Sequence, residues 1–164
     1  MLAEGAPIYN DTVLDPGMYL DWSQTALVHL LHINSSRADE PNEGGSVVRV
    51  TFGLVNLLLT GDIACDTEDE ILARAYNLEA EVLKVAHHGS RFSSCDPFLD
   101  AVSAQIGVIS VGENTHGHPT DEALGRLQAH GLELYRTDLH GDVNVTTDGR
   151  NVTVTTERGP SAGE

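Results

Sequence analysis

Three short segments hold residue types that could do acid–base or metal chemistry. Thr60-Gly61-Asp62 offers a carboxylate, His87-His88-Gly89-Ser90 two imidazoles and a hydroxyl, and His116-Gly117-His118-Pro119 two further imidazoles. A carboxylate and several imidazoles meeting at one place form an oxygen–nitrogen ligand set. Such a set suits zinc or manganese, the carboxylate oxygens shifting the balance towards harder ions. Each segment also has an ordinary explanation: a Gly-Asp after a strand is usually a turn, a histidine pair a capping loop or surface patch, and Gly-His-Pro a turn into a helix. Their placement relative to the expected strands is what argues for chemistry.

All three segments sit just past a strand-like run. Val55 to Leu59 is apolar and precedes Thr60; Glu81 to Ala86 precedes His87; Ile106 to Val111 precedes the Gly-His-Pro segment. Loops at the carboxyl ends of strands are where open α/β sheets bind ligands. Around them, Ala26 to Ile33 reads as a strand and residues 34 to 45 as a polar loop. Ser46 to Phe52 forms a hairpin with Val55 to Leu59 across Gly53. Thr67 to Glu70 matches a capping box opening a helix that runs to Tyr76, and Asp96-Pro97 opens a second helix. Thr120 caps a third helix, with Asp121 and Glu122 in its first turn and Gly131 closing it. Leu132 to Arg136 is a further strand, and Asp142–Thr147 pairs with Asn151–Thr156 across Asp148-Gly149. Strands alternating with helices give an α/β or α+β class with a mixed sheet. His29, His32 and His130 fall inside strand or helix patterns and read as structural or surface groups.

The ordered set of motifs resembles a known family. Thr60-Gly61-Asp62, the run Glu81-Val82-Leu83-Lys84-Val85-Ala86-His87-His88-Gly89-Ser90, Val108 to Gly112, Gly117-His118-Pro119, Tyr135 to Asp138 and the Thr147-Asp148-Gly149 turn are similar to the metallo-β-lactamase-fold domain of ComEC-type competence proteins. The likeness runs from about Ser46 to Gly149. It implies an αββα sandwich of which this chain is the C-terminal half to two thirds. It also implies Asp62 as a residue bridging two divalent metals, zinc or manganese, and His88 as a metal ligand. His87 and His118 become catalytic candidates for proton transfer or phosphate contact, and His118 and Ser90 candidates for substrate binding. DNA or another phosphodiester becomes the implied substrate, acted on by a hydrolase of the nuclease type linked to DNA uptake.

The family's His-x-His-x-Asp-His motif, which supplies most ligands of that centre, does not occur in the 164 residues. The pair His29 and His32 has the wrong spacing and no aspartate between. The chain is thus expected to be completed by an N-terminal half or by a membrane-channel chain, or else to be inactive with a structural role.

Composition narrows the rest. Forty per cent of the residues are apolar, enough for a core, with residues 26 to 156 as the domain, 1 to 25 as a lead-in and 157 to 164 as a tail. Twenty-five acidic residues against 9 basic ones give a net charge of −16, and Lys84 is the only lysine. This balance excludes an ordinary basic nucleic-acid-binding module and resembles haloarchaeal proteins. No run approaches a membrane span. Cys65 and Cys95 are too few for a disulfide framework, leaving buried thiols or a single bridge. Neither compartment nor localisation follows from these features.

Overall fold

The computed structural model describes residues 15–23, 25–33 and 45–159. Seven strands form one sheet in sequence order: β1 (Tyr19–Ser23), β2 (Ala26–His32), β3 (Val47–Phe52), β4 (Val55–Leu59), β5 (Val82–Lys84), β6 (Ile106–Ile109) and β7 (Glu133–Arg136). The first four pair antiparallel and the last four, sharing β4, pair parallel. A separate hairpin, β8 (Val143–Thr147) with β9 (Val152–Thr156), is the second sheet. The class is mixed α/β, as the alternating pattern implies. The 34–44 part of the expected loop lies outside the described residues.

The parallel half dictates its own connections, because parallel neighbours require a crossover and not a tight turn. Those crossovers carry helix α1 (Cys65–Ala73), helix α2 (Asp96–Val102) and helix α3 (Asp121–Ala129). A fourth short helix, α4 (Thr137–His140), follows β7. Ile71, Phe98, Leu99, Val102 and Leu127 from the three longer helices pack on Leu58, Leu83 and Ile109 of the sheet, forming one continuous core. The register places Val48, Val50, Leu57, Val82 and Val108 on the opposite face, since side chains alternate along each strand. The hairpin β8–β9 meets the sheet at the β3–β4 turn, where Leu54 N donates to Gly149 O at 2.7 Å. Gly53 has φ +63° there, and a Cβ on it would collide with Gly149 O.

Two local expectations are corrected. The helix expected to begin with a Thr67–Glu70 capping box instead begins at Cys65, with Ala64 as N-cap and no side-chain cap. Thr67 and Glu68 are therefore inside α1 and buried. Strand β1 falls within the stretch expected to be a loose lead-in; it pairs with β2, placing Tyr19 opposite His29. Cys65 and Cys95 form a disulfide, Cα to Cα 5.8 Å, that ties the start of α1 to the residue before α2.

Candidate metal centre

The four parallel strands end side by side, so the loops that follow β4, β5, β6 and β7 share one sheet edge. Short hydrogen bonds lock them to each other. Thr60 Oγ1 donates to Lys84 O at 2.6 Å and His87 N donates to Gly61 O at 3.0 Å, joining the Asp62 loop to the histidine turn. Thr137 Oγ1 accepts from Val111 N at 2.7 Å, joining the loops after β6 and β7.

The histidine turn is a short 3-10 segment, Ala86–Gly89, of unusual backbone. His87 (φ 47°), His88 (φ 55°) and Gly89 (φ 81°) are three successive residues in the left-handed region. Non-glycine residues held there cost on the order of 1–3 kcal/mol each, and such strain gathers where side chains must be aimed. Gly89 is needed for a second reason: a Cβ on it would lie 2.6 Å from Pro119 Cβ. That close approach seats the Gly-His-Pro loop against the histidine turn, with Thr120 N donating to Gly89 O at 3.0 Å.

The turn aims the two imidazoles differently. His88 Nδ1 lies 2.5 Å from the Ser110 carbonyl oxygen, an acceptor only, so Nδ1 carries the proton. In the neutral ring the Nε2 lone pair then faces outward, and it lies 3.7 Å from Asp62 Oδ1. That is too long for a hydrogen bond but suits two donors sharing a cation, with the carbonyl fixing tautomer and ring orientation as is usual for a metal-bound histidine. His87 faces His118, ring centroids 5.5 Å apart, and the Nδ1 atoms of both are buried without a hydrogen-bond partner. Burial first, then the neighbouring His87, His116, His88 and Arg91, lower the pKa of His118 below 6.5, which keeps it neutral. Burial likewise lowers the pKa of Lys84, against the opposing pull of Asp62. Ser90 is 2% exposed, and its hydroxyl accepts from Phe92 N at 3.3 Å.

A residue with no motif behind it organises the third loop. Asn114 Nδ2 donates to Gly112 O (2.9 Å) and His118 O (2.8 Å), while its Oδ1 accepts from His116 N and His118 N, both at 3.1 Å. All four bonding positions of the amide are used. The one signal available in the sequence was an asparagine two residues before His116, where an Asx turn forms. A cleft of about 420 Å³, lined by His88, Ser110, Val111, Asn114, His118 and Thr137 among others, opens beside this loop.

His29, His130 and His140 make contacts within the fold instead. His29 is buried, stacks on Tyr19 with centroids 4.0 Å apart and meets Tyr76 edge-on. His130 bonds Asp96 at 2.9 Å and approaches Asp100 at 3.4 Å, and His140 Nδ1 accepts from Arg136 N at 2.9 Å. The site thus gathers Asp62, His87, His88 and His118 at one edge, with Asp62 Oδ1 and His88 Nε2 3.7 Å apart. Among the described residues, three metal donors come within reach of one another only at Cys65, Glu68 and Cys95.

Across about two thirds of its length the chain is similar to a short segment of several longer proteins. It is 42% identical over 110 residues to Competence protein ComA of Neisseria gonorrhoeae, covering 65% of this chain and 16% of that protein. It is 34% identical over 116 residues to ComE operon protein 3 of Bacillus subtilis (strain 168), covering 68% and 15%. Recombination protein 2 of Haemophilus influenzae is 33% identical over 111 residues, covering 67% and 14%. The chain therefore spans less than a fifth of the curated relatives it matches. No family model matches it. A solved chain from Parabacteroides distasonis, described as a metal-dependent hydrolase, overlaps 76% of this chain and 56% of its own length at 12% identity and a TM-score of 0.49. At that distance the overlap carries no weight. No helix among the described residues is long and apolar enough to cross a membrane.

Proposed function

We propose that the chain is the C-terminal portion of a ComEC-type metallo-β-lactamase-like hydrolase domain acting on phosphodiesters, DNA foremost, during DNA uptake. The observation that carries this reading is the pair Asp62 Oδ1 and His88 Nε2, 3.7 Å apart at the parallel-strand edge. The relative named Competence protein ComA supports a link to competence, and DNA as substrate is the proposal built on that link. A bound divalent ion, zinc or manganese, would activate water and stabilise charge on the attacked phosphate. Asp62 and His88 would hold that ion, and the Ser110 carbonyl would keep His88 in the binding tautomer. Neutral His118 would take a proton from water, while His87 would contact phosphate or protonate the leaving group. Ser90, buried beside the turn with its hydroxyl accepting from Phe92 N, would hold the shape of the turn. The acidic surface, with one lysine, supports work in concentrated salt, where the Debye length falls to about 3 Å and general repulsion of DNA is screened.

Two donors leave a metal's coordination shell open. We assign the remaining ligands to a His-x-His-x-Asp-His segment outside these residues, on a preceding half-domain or a membrane-channel partner. Asp62→Ala and His88→Ala should each abolish metal-dependent cleavage of DNA when the complementary half is supplied. Cleavage unchanged in both would sink the assignment. The second reading, a half-domain with a structural role, is favoured by the pairing of just two donors at this edge among the described residues. It predicts no bound metal and no cleavage in high salt even with the complement present.

A further inference from the structure

The side of the molecule that carries the start of α1 and the start of α2 holds a second donor cluster. The sulfurs of Cys65 and Cys95 and a carboxylate oxygen of Glu68 lie within 4.8 Å of one another. In the structure the two sulfurs are bonded as a disulfide. Glu68 is fully buried, an unusual place for a carboxylate without a cation held against it. Its oxygens accept from Ser94 N at 2.6 Å and Cys95 N at 2.8 Å. The Arg126 guanidinium is nearby but spends its donors on the carbonyls of Ser94 (2.7 Å), Ser93 (2.9 Å) and Arg91 (3.0 Å). The Ser94 hydroxyl, 1% exposed, has no hydrogen-bond partner.

We infer that, once the disulfide is reduced, Cys65, Cys95 and Glu68 form a thiolate–carboxylate site for a zinc-class divalent cation, separate from the Asp62–His88 pair. Two thiolates with one carboxylate and a water complete a tetrahedral shell, and soft sulfur selects zinc over magnesium or calcium. The pre-placement is what favours it. Glu68 is anchored by two amides, and Cys65 is fixed by Cys65 N donating to Phe92 O at 2.9 Å, so little ordering is left to do. A resident cation would also neutralise a carboxylate whose pKa burial raises to about 7. The chemistry balances with a dithiol reductant. The reductant passes two electrons and two protons to the Cys65–Cys95 bond and becomes a disulfide itself; binding the cation then releases both thiol protons. A small-molecule disulfide reverses the sequence: it accepts the two electrons and takes two protons from solvent to become a dithiol, the Cys65–Cys95 bond re-forms and the ion is expelled. The bridge and the metal are thus alternative staples between the Asp62 loop and the segment following the histidine turn.

The test titrates the purified chain with cobalt(II) as an optical stand-in for zinc, before and after dithiol reduction and removal of the reductant. The reduced chain should bind about one ion per chain, with a thiolate-to-cobalt ultraviolet band and tetrahedral visible bands; the oxidised chain should show neither. Cys95→Ser should abolish the thiolate band. Glu68→Gln should weaken binding by about tenfold or more, and its circular dichroism shows whether it remains folded. Asp66→Asn, exposed on the same helix, should bind as the parent does. An Asp62→Ala/His88→Ala double variant should keep the band. Absence of the band in the reduced chain, its survival in Cys95→Ser, undiminished affinity in folded Glu68→Gln, or its loss in the double variant would each overturn the proposal.

Discussion

The turn at His87, His88 and Gly89 places three successive residues in the left-handed region at the sheet edge. Its tolerance is narrow: Gly89 has φ +81° and no room for a Cβ against Pro119. Gly89→Ala should cost about 2–4 kcal/mol, combining left-handed strain with overpacking, read as a lower urea midpoint at unchanged slope. The imidazoles allow a sharper check. His118 is held neutral by burial and by the nearby His87, so its proton NMR titration midpoint should lie below 6.5. His87→Ala should move that midpoint back upward. A His118 midpoint at or above 6.5 in the parent chain would refute the packing of the two rings. The sequence displayed these residues, because Asp62, His87, His88 and His118 all follow apolar runs. It hid Asn114 and the Ser110 carbonyl, since a backbone acceptor has no sequence signature and an asparagine in a polar loop looks like any other turn residue.

At the scale of elements, the strands and the Thr120-capped helix were legible because their signals are local. Alternation marks β8 and β9, the Asp148-Gly149 pair marks their turn, and Thr120 Oγ1 does accept from Ala123 N at 3.2 Å. Thr120→Ala should destabilise the fold by about 1–2 kcal/mol, because the same hydroxyl also donates to Gly89 O at 3.3 Å. Calorimetry or urea unfolding measures this, and a loss no larger than at an exposed helix threonine would deny the second bond. What could not be read locally is the start of α1. Thr67 to Glu70 has the spacing of a capping box, yet Thr67 and Glu68 lie buried inside α1, and Glu68 accepts from the amides of Ser94 and Cys95, 26 and 27 residues away. A carboxylate that satisfies a distant loop looks, in one dimension, like any other carboxylate of a first helical turn. The same holds for the Cys65–Cys95 pairing, which spans 30 residues and depends on the crossover geometry bringing α1 beside α2.

For the molecule as a whole, charge acts in two ways that can be separated. Surface repulsion from 25 acidic against 9 basic residues grows as carboxylates ionise, and salt screens it. Glu68 is buried and salt does not reach it. Burial raises its pKa from 4.5 to about 7, opposed by the amide bonds of Cys95 and Ser94 and by Arg126. Because the folded state holds this proton more tightly than the unfolded chain, the contribution is fully present below 4.5 and is lost as pH rises through about 7. The rise in pKa corresponds to on the order of 3 kcal/mol. His29 and His118 act in the opposite sense: their lowered pKa values mean the unfolded chain takes up protons first, so stability falls as pH drops below 6.5. Comparing the oxidised parent with Glu68→Gln at the same pH cancels the histidines. In about 1 M salt, which shortens the Debye length to about 3 Å, the parent should still lose stability between pH 4.5 and 7.5, whereas Glu68→Gln should lose much less. In low salt both should fall further, by the same surface increment. If the two chains show parallel pH profiles in high salt, the buried carboxylate is not what sets the pH dependence, and the surface charge alone governs it.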